Sequence, residues 1–272
     1  MLAVNIFLYV IIFCIGTVFG SFFTLAVYRI PIGKDITHER SFCPNCNHRL
    51  SFFDMIPVLS YLFLGGKCRY CKQKIRPRYF LLELMSGIVF VLFALSLKID
   101  ILHISINTLV YFVFGLLYFA TLFILAGIDK ENIKIQKSVV LFGFVVETIY
   151  ILVMYLINPK INMYFYIICL ILIGLLETLD IVLFRKNLKK NYIIDILQLV
   201  LMLVIYSNII VAGMTIILAA LSVLLWFILR KLFTKKYTSV KTDGKKKVKI
   251  PLGFFLCVSN IICVILCNFI FI

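Results

Sequence analysis

The chain has 272 residues, 63% of them hydrophobic, with a mean hydropathy of +1.10. Soluble domains carry roughly 45–50% apolar residues, so this composition excludes an ordinary water-soluble globule and calls for lipid as well as a core. A net charge of +16, from 28 Lys and Arg against 12 Asp and Glu, would indicate nucleic acid in a soluble protein, but the charges are placed along this chain as a membrane topology requires.

A helix needs about 20 apolar residues to cross the roughly 30 Å hydrocarbon core. In chain order, eight runs qualify: Val4–Tyr28, Tyr79–Leu97, His103–Ile128, Ser138–Ile157, Ile161–Phe184, Tyr192–Ser207, Ile209–Leu229 and Pro251–Ile272. The expected fold is therefore an all-α polytopic membrane protein of about eight transmembrane helices. The sixth and seventh runs adjoin at Ser207-Asn208. Drawn as one they are about twice the length a single span needs, so a tight helical hairpin is expected. Three regions follow: a first transmembrane helix at 1–28, a polar insert at 29–78 and a helical membrane domain at 79–272.

Basic residues cluster at Arg29–Arg78, at Lys130, Lys134 and Lys137, at Arg185, Lys186, Lys189 and Lys190, and from Arg230 to Lys249; only Lys98 and Lys160 fall elsewhere. They occupy alternate connections, which is the positive-inside pattern. Those four connections are expected in the cytoplasm and both termini outside, in the cell's inner (cytoplasmic) membrane, with no nucleic-acid partner. Residues 1–20 carry no basic stretch ahead of the apolar run, so the first span is expected to remain as an anchor.

The insert holds Cys43-Pro44-Asn45-Cys46 and Cys68-Arg69-Tyr70-Cys71, with 21 residues between the pairs. Each turn can aim two sulfurs at one metal, and two turns complete a tetrahedron, the pattern of a tetracysteine zinc site. In a reducing compartment thiolates bind metal rather than oxidise. Two disulfides or four idle thiols are the other readings, and disulfides would need the inverse topology. With all four positions filled by protein, zinc at Cys43, Cys46, Cys68 and Cys71 would be structural and would supply folding free energy to a small insert. Cys14, Cys169, Cys257, Cys263 and Cys267 lie in apolar spans and read as packing residues.

A longer string surrounds the cysteines. It runs Gly20-Ser21-Phe22, Arg29, Pro31, Ser41, the first cysteine pair, Leu50, Asp54-x-Ile56-Pro57, Ser60-Tyr61, Gly65, the second pair, Ile75, Arg78-Tyr79, Glu83 and Gly87. In order and spacing it resembles the type IV prepilin peptidase family, departing at Thr24, where that family often has Asn. The resemblance implies a bifunctional membrane enzyme. One activity is an intramembrane aspartyl peptidase that removes the basic leader of prepilins or pseudopilins at the cytoplasmic face. The other methylates the new N-terminus with S-adenosylmethionine. No Gly-rich nucleotide loop is present, and no residue is assigned to the methyl donor.

An aspartyl dyad needs two carboxylates sharing one proton, and acids inside spans are functional candidates. They are Glu83, Asp129, Glu147, Glu177, Asp180 and Asp195. Asp129 follows Leu125-Ala126-Gly127-Ile128 and matches the family's first catalytic Asp, although Gln136 stands where a Pro is usual. The plain alternative is an interfacial Asp beside Lys130. Asp195 would be the second. The family's Gly-x-Gly-Asp reads Tyr192-Ile193-Ile194-Asp195 here, and the Lys usual two residues later is absent. Glycines there would let backbone and substrate approach closely. Asp180 is the runner-up, with Glu177 on its helical face; a salt bridge to a nearby Lys or Arg is the bland reading of both. Pro251-Leu252-Gly253-Phe254 resembles the family's Pro-x-Gly-Pro, with Phe254 replacing the second Pro. A catalytically silent membrane scaffold and a proton-coupled transporter are the rival classes.

Overall fold

The computed structural model describes residues 2–36, 41–43, 45–100, 102–159, 163–185, 192–234 and 250–271. Arg40, Pro44, Lys160, Ile161, Lys186, Lys189, Lys190, the basic residues between 235 and 249, and Ile272 lie outside the described residues. The helices are α1 (Leu2–Arg29), the short α2 (Leu59–Phe63), α3 (Pro77–Ser96), α4 (Ile106–Asn132), α5 (Lys137–Ile157), α6 (Met163–Arg185), α7 (Tyr192–Thr234) and α8 (Leu252–Phe271). Among the described residues, seven of these runs are long and apolar enough to cross a membrane. The chain divides into two compact units, Met1–Ile124 with Asn268–Ile272, and Leu125–Cys267.

In the first unit α1 and α3 pack antiparallel through small residues. A Cβ on Gly16 would lie 2.8 Å from the Cα of Gly87, and one on Gly20 would lie 2.6 Å from the Cα of Glu83. Only hydrogen at these positions lets the backbones approach, the small-xxx-small logic of helix pairs in lipid. The Ser86 hydroxyl donates to the Gly16 carbonyl at 2.7 Å, which ties the crossing with a buried hydrogen bond. Below it, Phe19 meets Phe90, Phe23 stacks on Phe123, and Phe93 packs on Phe119, which joins α4 to the pair. Pro77 opens α3 at a position whose N–H would be unpaired anyway.

In the second unit α7 contains a break: Asn208 has φ 70° and ψ 156°. The break reverses the chain. Asn260 of α8 donates to the hydroxyls of both Ser207 (3.2 Å) and Thr215 (3.1 Å). Eight residues of straight helix would separate them by about 12 Å, too far for one amide nitrogen to reach both. The far ends also return to the same place. Gly253 N–H donates to the Tyr192 hydroxyl at 3.3 Å, and Trp226 meets Phe255. The first arm thus runs from the start of α8 to its middle, and the second arm runs back. The expected hairpin at Ser207-Asn208 is present inside one continuous helical run, so the seven runs contain eight crossing segments.

Candidate active site

The insert builds its cysteine cluster from two copies of one local turn. Each pair is bracketed by an isolated antiparallel bridge, Phe42 with Arg49 and Lys67 with Lys74. In the first, Cys43 N–H donates to the His48 carbonyl and Asn47 N–H to the Cys43 carbonyl; in the second, Cys68 pairs with Gln73 and Lys72 with Cys68 in the same way. The fourth residue after each leading cysteine, Asn47 or Lys72, adopts positive φ. The two turns bring the four ligand sulfurs within 4.8 Å of one another. A tetrahedron with Zn–S bonds of about 2.3 Å has S–S edges of about 3.8 Å, and the Cys43 and Cys71 sulfurs are 3.9 Å apart. The donor set fits a zinc ion. Negative charge settles unevenly over the four thiols: the Gln73 backbone N–H and the Asn45 amide bond the Cys71 sulfur and pull its pKa down to about 6, while, against the His48 backbone N–H, burial and the neighbouring cysteines push Cys46 up to about 11.

Asp54 holds the two turns together. Its carboxylate accepts from Ser51 N–H and hydroxyl, from Arg69 Nε at 2.6 Å and from the Tyr70 hydroxyl. Burial opposes the charge, but these donors win and hold Asp54 below the usual carboxylate range. This explains why Asp54 and Arg69 appear in one motif string.

Asp129 is fully buried in α4, which continues three residues beyond it to Asn132. The Tyr192 hydroxyl donates to both its carboxylate oxygens, at 2.9 and 3.0 Å, and Phe254 N–H donates to Oδ2 at 3.0 Å. Gly253 and Phe254 lie in the first turn of α8, where backbone N–H groups have no intrahelical acceptor. Asp129 therefore caps α8 from another helix, facing the positive end of its dipole. A Cβ on Gly253 would come within 3.1 Å of Asp129 Oδ2, a close contact from which the carboxylate would have to withdraw by a few tenths of an ångström. Lys130 turns instead to the Phe254 ring, 4.9 Å from its centroid.

Asp195 is buried one turn after Tyr192 on the same face of α7. Tyr192 and Ile194 stand at the two glycine positions of the motif; Ile194 is buried beside Asp195, and Ile193 between them is exposed. One further turn on, Gln198 donates to Glu177 at 2.9 Å. Asp195 thus lies on its helix between a residue bound to Asp129 and a residue bound to Glu177. Glu177 also accepts from Lys137 at 3.4 Å, and Lys137 forms an ion pair with Asp180. Asp180 and Glu177 are therefore held in a salt-bridged cluster between α5 and α6. Glu83 accepts the Val58 N–H at 2.8 Å. Glu147 is buried in α5, and its carboxylate oxygens have no hydrogen-bond partner among the described residues.

Sequence reasoning had not assigned Tyr192, Gly253 or Phe254 to Asp129. The signal was present in the departures themselves. Tyr192 replaces a glycine and Phe254 a proline of the family pattern, and each replacement adds a donor that glycine or proline lacks.

Residues 14–97 match the Bacterial Peptidase A24 N-terminal domain family. Curated relatives are each named Prepilin leader peptidase/N-methyltransferase. That of Klebsiella pneumoniae is 36% identical over 127 residues, 44% of this chain and 52% of the relative. That of Vibrio cholerae is 40% identical over 92 residues, 30% of this chain and 36% of the relative. That of Bacillus subtilis is 38% identical over 93 residues, 33% and 38% respectively. The matches thus span about half or less of the length of these relatives. No solved structure matches the chain. The N-terminal third, with its paired cysteine turns, its Asp54–Arg69 tie and its α1–α3 crossing, is thus similar to the Bacterial Peptidase A24 N-terminal domain and to the matching part of the prepilin leader peptidase/N-methyltransferases.

Proposed function

We propose that the chain is a membrane-embedded aspartyl endopeptidase that removes the leader from prepilin-like or pseudopilin substrates, with Asp129 and Asp195 as its two carboxylates, and that N-methylation of the new N-terminus follows. The observation that carries this reading is the setting of Asp129. It is a fully buried carboxylate given three donor contacts at the start of α8, with Asp195 one turn beyond its tyrosine partner. The relatives' name supplies the substrate class.

In this mechanism the two carboxylates share one proton. The ionised one takes a proton from water while the protonated one donates to the scissile carbonyl. Tyr192 and Phe254 N–H fix the orientation of Asp129 during the exchange. The substrate peptide must be extended at the cut, so its helix unwinds locally, which lipid tolerates only where the backbone is paired or wet. S-adenosylmethionine, when bound, would supply the methyl group for the second activity. Zinc at the four cysteines would hold the insert folded and has no open position for chemistry. By the charge pattern the basic connections lie in the cytoplasm and the cut falls on that face of the inner membrane.

One observation favours a catalytically silent scaffold: Tyr192, standing where the family has a glycine, covers both oxygens of Asp129. Co-expression with a pilin-type precursor, followed by gel and mass spectrometry, decides between the two. Asp129→Asn and Asp195→Asn should each abolish cleavage while Asp180→Asn retains it. A requirement for Asp180 would reassign the second carboxylate. A folded, zinc-loaded chain that cuts nothing would establish the scaffold.

A further inference from the structure

Between its two cysteine turns the insert carries large apolar side chains that face outward. Phe52 is 75% exposed, Phe53 69% and Phe63 86%, with Leu59 and Leu62 more than half exposed. A water-facing loop rarely displays such a contiguous set. A cleft of about 450 Å³ opens among them, lined by Phe53, Ile56, Leu59, Phe63 and Leu64, with Arg69 at its edge.

The depth of this segment is fixed by its contacts to α3. Val58 N–H donates to Glu83, and Tyr61 stacks on Phe80 with ring centroids 4.9 Å apart. Glu83 in turn lies against Gly20 of α1, nine residues before the end of that helix. Four residues separate Glu83 from Tyr79, where the apolar run of α3 begins, so at about 1.5 Å per residue the Glu83 backbone lies about 6 Å inside that boundary, and its side chain, tilted toward the helix N-terminus, meets Val58 no deeper than that. The chain therefore leaves α1, forms the first cysteine turn and comes back to the level of the bilayer before the second. Its backbone is prepared for that depth. Ser60, Leu62, Leu64, Gly65 and Gly66 all donate to carbonyls within the segment, and Glu83 takes the Val58 N–H that its positive φ would otherwise leave open. Irregular backbone at membrane depth requires such pairing. Basic residues flank the segment at Arg49, Lys67, Lys72 and Lys74, suited to anionic lipid headgroups.

We propose that residues 52–64 form a re-entrant interfacial anchor whose exposed Phe52, Phe53, Leu59, Leu62 and Phe63 insert into the headgroup–acyl boundary of the bilayer. The occupant of the surface is lipid. The anchor sets the height of the cysteine domain against α1 and α3 independently of any catalytic role of the carboxylates.

The chain's one tryptophan, Trp226, allows a direct test. Phe63→Trp and, separately, Phe53→Trp are made in the full chain carrying Trp226→Phe. Each is placed in phosphatidylcholine–phosphatidylglycerol vesicles, with bound zinc verified as the check of folding. Lipids brominated near the headgroup end of the acyl chain should quench at least half of the tryptophan emission. Lipids brominated at the chain terminus should quench less, and aqueous iodide should have little effect. Iodide quenching without bromine quenching would overturn the proposal by placing the segment in water. Insensitivity to both would overturn it by showing that protein, a substrate or a second copy, covers the surface.

Discussion

The phenolic hydroxyl of Tyr192 lies within hydrogen-bond distance of both carboxylate oxygens of Asp129, at 2.9 and 3.0 Å, across 63 residues of chain. One side chain thus ties the start of α7 to the end of α4, and Gly253 N–H, donating to the same tyrosine oxygen, brings in α8. A hydrogen bond to a charged group contributes about 1.5–3 kcal/mol. A double-mutant cycle of Tyr192→Phe with Asp129→Ala, which removes the acceptor altogether, read by unfolding in detergent, should return a coupling of that order. A coupling near zero would mean that the two groups do not meet.

Gly253→Ala tests the close approach at the same place. The added Cβ would sit 3.1 Å from Asp129 Oδ2 and 3.2 Å from Ile135 Cδ1. Overpacking of this kind costs about 1–3 kcal/mol. The expected result is strongly reduced leader cleavage at nearly normal expression and zinc content. Unchanged cleavage would show that α8 need not press on Asp129.

The Lys137 cluster gives the opposite pattern. Lys137 is about one-third exposed and pairs with Glu177 and Asp180. Lys137→Met should lower stability by about 1–3 kcal/mol, less than the roughly 3–5 kcal/mol of a fully buried pair because solvent screens it. Adding Asp180→Leu should restore part of that loss, since removing both partners spares the uncompensated charge. Thermal unfolding of the single and double variants measures it.

Removing the metal should unfold the insert alone. A strong chelator is expected to release one zinc per chain and expose Lys67 and Lys74 to trypsin, while the membrane helices stay protected. Cys43→Ser should do the same without chelator. Retained protection after complete zinc loss would separate the fold of the insert from its metal.

Asp54 predicts a pH dependence. Its carboxyl is held below the usual range by Arg69 and Ser51. A depressed carboxyl contributes stability above its unfolded pKa of about 3.9 and loses it as pH falls through the folded value. Asp54→Asn should therefore destabilise the insert at neutral pH by on the order of 1 kcal/mol, at the modest end because Arg69 is half exposed. The gap from wild type should close in acid below that range. A pH-independent gap would mean that the charge on Asp54 plays no part.

Whatever depends on neighbours along the chain was legible in the order of residues. Apolar runs of helix-spanning length set the crossings, the paired spacing of Cys43, Cys46, Cys68 and Cys71 marked the metal cluster, and the tract ending in Asp129 marked that carboxylate. Local composition suffices there, because a span must pair its own backbone within itself and a CxxC turn aims both sulfurs locally. Links between residues far apart emerged only with the fold. It reversed the chain at Asn208, set Asp180 against Lys137, placed Val58 on Glu83, and gathered Tyr192, Gly253 and Phe254 around Asp129. In lipid, where apolar side chains gain nothing by leaving their solvent, such pairings follow from close packing and scattered polar contacts. Those leave no periodic trace in the order of residues, so Tyr192 and Phe254 read as lost motif positions until the fold placed both on one carboxylate.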